Sequence, residues 1–147
     1  MDISTVRFFF DPACPWTWVT ARWMVEVAEA RNIEIEWAIF SLRHRNRDNP
    51  GYDWLRPELN AQHPPMRVLA AAGTLHGNEA AGRLYAALGT LIHHDGDNHM
   101  TRLADAIEMA GLPADIIEQA GNEEWDDSIV ASTEEARAII GDDAGIP

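Results

Sequence analysis

Cys14 is the only cysteine of the 147-residue chain, and the stretch around it, Phe8-Phe9-Phe10-Asp11-Pro12-Ala13-Cys14-Pro15-Trp16-Thr17-Trp18, carries the clearest chemical signal. A β-favouring run over Val6–Phe10 stops at Asp11-Pro12, because proline offers no N–H to a sheet ladder and restricts the residue before it. Pro15 suits the first position of a helix, where its missing N–H would have had no partner. Cys14 therefore falls at the helix N-cap. A sulfur there meets unpaired backbone N–H groups and the positive end of the helix dipole, both of which favour the thiolate, the nucleophilic form. Thr17 stands three residues on, where a second cysteine would complete a Cys-x-x-Cys pair, and its hydroxyl is placed to donate to the sulfur. With one cysteine no internal disulfide can form. The plainer alternative is that Cys14 is a small buried core residue without chemistry.

The elements that must hold this turn follow from the flanking patterns. Trp16, Val19, Trp23, Val27 and Ala30 recur at three- and four-residue intervals, which predicts a helix with an apolar stripe toward the core. Asn32 suits the left-handed position that ends it. Ile33, Ile35, Trp37 and Ile39 then alternate with Glu34, Glu36 and Ala38, the pattern of a half-buried strand. Strand, helix and strand in so short a span make a βαβ unit, expected to close as a right-handed crossover with parallel strands.

Beyond it, Ser41 to Pro57 crowds Arg43, His44, Arg45, Arg47 and Arg56 beside Asn49-Pro50-Gly51 and reads as an exposed connection, either solvated or offering cations to an anionic ligand. From Pro64 onward the pattern is helical: Pro65 to Leu75, a run after a cap at Asn78, Met100 to Ala110, Ala114 to Ala120, and a last helix capped by Ser132 or Thr133 and ending near Gly141. His93-His94-Asp95-Gly96-Asp97-Asn98-His99 holds metal-ligating types, but the spacing fits no zinc site or EF-hand loop, and a polar inter-helix turn is the expectation. Trp54 and Trp125 are expected to pack into the core.

The length suits one domain with a real core. A formal net charge of −13 argues against binding nucleic acid or an anionic membrane by bulk electrostatics. The sequence holds no signal peptide, membrane span, dinucleotide fingerprint or nucleophile elbow, so a cytoplasmic location and no metal are expected.

The cysteine turn, together with Thr20-Ala21-Arg22-Trp23, Gly89-Thr90-Leu91-Ile92-His93, Ala110-Gly111-Leu112-Pro113-Ala114 and Gly141-Asp142-Asp143-Ala144-Gly145-Ile146-Pro147, resembles the DsbA-like branch of the thioredoxin superfamily. Within it the chain is most similar to the mycothiol-dependent nitroreductases. The resemblance implies an α/β fold, a thioredoxin-like βαβ unit with a large all-helical insertion. It divides the chain into residues 1–42 of the thioredoxin-like part, a connection over 43–57, the insertion over 58–141, and the start of a C-terminal thioredoxin segment over 142–147. It also implies a low-molecular-weight thiol, mycothiol or similar, as cosubstrate, and a cis-proline beside the active cysteine at Pro147.

Two strands alone make a poor sheet, so the expectation is that further strands have been lost or that a partner chain, in a homodimer, covers the open edge. Thr17 departs from the two-cysteine pattern, so two-cysteine chemistry is not carried over. The function expected is monothiol exchange through Cys14 on a disulfide or S-thiolated substrate, with Thr17 holding the thiolate and Pro15, Trp16 and Pro147 forming the thiol-binding surface. The competing expectations are an enzyme like the kappa glutathione transferases, which holds a cofactor thiol, and an inactive binding module.

Overall fold

A computed structural model of the chain describes residues 3–96 and 102–141. Strand β1 (Ser4–Phe10), helix α1 (Pro15–Arg31) and strand β2 (Ile33–Ile39) form the βαβ unit. The strands are parallel, in a register that sets Ser4 against Ile33 and Phe10 against Ile39. Asn32 ends α1 in the left-handed region, φ 56°, as its side chain tolerates. The fold is α/β, with a thioredoxin-like unit followed by a mostly helical segment.

One expectation about α1 is overturned. The apolar stripe begins on the outside: Trp16, Val19 and Trp23 are 72%, 63% and 60% exposed, while Thr17, Trp18, Ala21 and Met24 are buried. Both faces of this helix are apolar, so spacing alone does not choose between them. Partners elsewhere in the chain do.

Those partners lie on the helical segment. The connection is largely exposed and is built from short α2 (Leu42–Arg45), a 3₁₀ turn over Pro50–Leu55 and α3 (Arg56–Ala61). Arg43 bonds Asn60 and Arg56 bonds Asp53 within this stretch, while His44 reaches Glu134 on the last helix. Helices α4 (His63–His76) and α5 (Asn78–Gly89) follow, then a π turn over Thr90–His94, α6 (Leu103–Met109), 3₁₀ turns over Ala114–Gly121 and Glu123–Trp125, and α7 (Asp126–Ile140). Trp125 packs against the core as expected, whereas Trp54 is 77% exposed in its 3₁₀ turn.

Helix α5 plugs the helical segment into the βαβ unit. Tyr85 stacks on Phe10 at 4.1 Å and meets Trp18 and Trp37 edge-on at 5.5 and 5.7 Å. On either side of it, Gly82 and Gly89 leave the room that Trp37 and Trp18 occupy. A Cβ at Gly82 would lie 2.4 Å from the Trp37 ring nitrogen, and one at Gly89 would lie 2.1 Å from Trp18 Cζ3.

Three predicted caps serve other ends. Asn78 is the first residue of α5, not its cap, and its amide accepts from Trp37 N and donates to Trp37 O, both at 2.8 Å, closing the outer margin of β2. Ser132 and Thr133 lie inside α7; Ser132 donates to Ile39 O at 2.7 Å, and Thr133 accepts from Ser41 N at 2.9 Å. Polar side chains with good cap chemistry thus satisfy backbone groups at the end of β2.

Asp126 ties α7 to α4. It receives two hydrogen bonds from the Arg67 guanidinium, at 2.8 and 2.9 Å, and pairs with His63 at 2.8 Å. Arg67 chiefly, then His63, holds its carboxyl down at about 2. A depressed folded pKa contributes stability above the ordinary carboxylate value and loses it as pH falls toward 2. Asp126→Asn should therefore cost about 1–2 kcal/mol at pH 6, allowing for the partial exposure of the pair. In urea melts the gap between variant and parent should narrow as pH falls below the ordinary carboxylate value and close only below about 2.

Candidate active site

The cysteine turn is held from three sides. Asp11 is buried at the end of β1, where its carboxylate accepts from Ala13 N and from Leu42 N, each at 2.9 Å. Its backbone carbonyl accepts from Cys14 N at 3.0 Å. Cys14 is the N-cap of α1, extended at φ −80° and ψ 113°, with Pro15 opening the helix. The sulfur accepts from the backbone N–H of Thr17 at 3.5 Å, and Thr17 itself is wholly buried. That bond from a buried part of the helix fixes where the sulfur points. Trp16 stands outside, exposed beside the cap.

Cys14, Pro15, Trp16 and Thr17 make up the cap and first turn of α1, while Pro147 lies outside the described residues. The structure brings to this turn residues that the sequence had not placed beside it. The π turn rotates both His93 and His94 toward α1, a common use of such a turn. His93 Nε2–H donates to Pro12 O at 2.8 Å, which leaves Nδ1 as the acceptor of the neutral ring. Trp18 Nε1–H donates to His94 Nε2 at 3.1 Å, so that nitrogen carries no proton. Burial pushes His93 down from its ordinary value, against the pull of its bond to Pro12. His93 also stacks on Trp18 with ring centroids 5.8 Å apart.

These side chains enclose a cleft of about 420 Å³ against the first two turns of α1, lined by Pro15, Trp18, Val19, Arg22, His93 and His94. Its size is within the range of small-molecule sites. The histidines were expected in a polar turn with Asp97, Asn98 and His99, which lie outside the described residues. No local pattern signalled their place here, because the π turn over Thr90–His94 alters the helical phase on which such spacing depends.

A family profile described as Rv2466c-like, mycothiol-dependent nitroreductase Rv2466c, matches residues 13–147, from the cysteine turn onward. The chain belongs to the Rv2466c-like family. It also resembles a protein of Mycobacterium tuberculosis described as uncharacterized protein Rv2286c, with 41% identity over 44 residues, 30% of this chain. The match spans about a fifth of that relative's length, 19%. This member of the family has threonine at position 17, so the sulfur at its helix cap has no neighbouring cysteine three residues on.

Among the described residues, no helix is long and apolar enough to cross a membrane.

Proposed function

We propose that this chain is a monothiol oxidoreductase acting through Cys14 with a small thiol of the mycothiol type. The observation that carries the reading is the sulfur at the N-cap of a 17-residue helix, accepting the Thr17 N–H, in a member of a mycothiol-dependent family. Donors at a helix start stabilise developing negative charge on sulfur, which favours thiolate both as attacking and as leaving group.

In the forward step the Cys14 thiolate attacks one sulfur of a disulfide, the S–S bond breaks, and the released thiolate takes a proton from water. The Cys14 sulfur passes from thiolate to disulfide level as the released sulfur passes from disulfide to thiolate level, so the exchange balances without a further oxidant. A second small thiol, as thiolate, then attacks the outer sulfur and returns Cys14 to its starting state. Thr17 keeps the cap shape without competing for the mixed disulfide, since it offers no sulfur to resolve it. Trp16, exposed beside the cap, supplies an apolar wall for the incoming thiol.

Incubation of the folded protein with oxidised mycothiol or oxidised glutathione should add one thiol mass per chain by intact-mass measurement. The adduct should disappear on addition of reduced thiol and be absent from Cys14→Ser. A folded protein that gains no adduct would overturn the reading.

A further inference from the structure

Arg22 is the unexplained cation of the cleft beside Cys14. Its guanidinium lies over the Trp18 ring at 4.2 Å, folded back one turn toward the cysteine end of α1, the direction helical side chains take. Its Nε is buried without a hydrogen-bond partner, and no carboxylate pairs with it among the described residues. Burial pulls its pKa below the ordinary value. An arginine is a planar fork of donors suited to carboxylate, and holding one desolvated without an anion is unfavourable. The cleft it lines contains no acidic side chain, and of its two imidazoles His94 accepts from Trp18 while His93 donates to Pro12 O.

We propose that this cleft binds the carboxylate of a small anionic substrate on Arg22 while the substrate's sulfur meets Cys14. The inference rests on the monothiol reading and adds the substrate's charge class to it. Pro15, the residue after the cysteine, lines the cleft although Cys14 itself does not, and the helix axis rises about 6 Å over the four residues from the Cys14 cap to Trp18, over whose ring the guanidinium lies. A short chain between a sulfur and a carboxylate spans such a gap. The bulk field argues the other way. A chain of net charge −13 attracts cations at long range, so any preference for an anion must come from a local donor.

The test uses three disulfides of nearly equal size: dithiodipropionate, anionic; 2-hydroxyethyl disulfide, neutral; and cystamine, cationic. Rates of Cys14 adduct formation are measured on the full chain at 0.15 M salt, where long-range fields are largely screened. The anionic reagent should react about tenfold faster than the neutral one, and cystamine slowest. A charge-assisted pair of this kind carries that order of discrimination. In Arg22→Gln the ratio of the anionic to the neutral rate should fall to about one, and Arg22→Lys should restore part of it. Parent protein with no anionic preference, or a preference that survives Arg22→Gln, would overturn the proposal while leaving monothiol exchange intact. Failure of all three reagents to form an adduct would remove the monothiol reading and this proposal with it. The parent rate order needs no variant, so the test stands if Arg22→Gln does not fold.

Discussion

Gly89→Ala should lower the melting temperature by about 6–12 °C, from an overpacking cost near 3 kcal/mol at roughly 2–4 °C per kcal/mol for a chain of this size. The added methyl would lie 2.1 Å from Trp18 Cζ3 and 2.2 Å from Cε3, a distance that requires the ring to move. The ring has little freedom to do so. Arg22 covers it, His93 stacks on it, Tyr85 meets it edge-on and His94 accepts from its Nε1–H. Displacing Trp18 also disturbs the first turn of α1, so iodoacetamide should label Cys14 at a changed rate in the same variant. Gly121→Ala is the control, since a Cβ there meets nothing within 4 Å. Equal melting temperatures for Gly89→Ala and Gly121→Ala would show that α5 does not hold Trp18 as described.

The second large effect is a pH dependence at Asp11. Burial raises its carboxyl from the ordinary 3.8 to about 6, outweighing the bonds from Leu42 N and Ala13 N that favour the charge. A raised folded pKa makes the ionised group a liability. Its contribution is best below pH 3.8 and is lost as pH rises through about 6. Two pKa units correspond to about 3 kcal/mol. Asn at this position accepts only one of the two backbone N–H bonds, so Asp11→Asn should be less stable at pH 4 by about 1–3 kcal/mol. Between pH 4 and 7.5 the parent should lose about 3 kcal/mol relative to the variant, narrowing or reversing the gap. Urea unfolding of both proteins across that range measures the difference, and parallel profiles would contradict the burial argument.

Local rules made the βαβ unit legible. Proline at positions 12 and 15, the alternation from Ile33 to Ile39 and the left-handed Asn32 each act within a few residues, and each is found where it was expected. The N-cap at Cys14 follows from the same proline logic. What was not legible depended on residues far apart in sequence. The inward turn of Trp18 depends on the missing side chain at Gly89, while Trp16 and Trp23, of the same type on the same helix, stay exposed. Asn78, Ser132 and Thr133 have cap chemistry, yet the backbone groups they satisfy belong to Trp37, Ile39 and Ser41. Arg22, His93 and His94 converge only because a π turn shifts the phase of the helix that carries the histidines.

The amide of Asn78 on Trp37 has one last consequence. Together with Ser132 on Ile39 O and Thr133 on Ser41 N, it engages the C-terminal part of the outer margin of β2 with side chains from two helices. An incoming strand there would have to displace those side chains before it could pair, whereas no such side chain stands along β1 among the described residues.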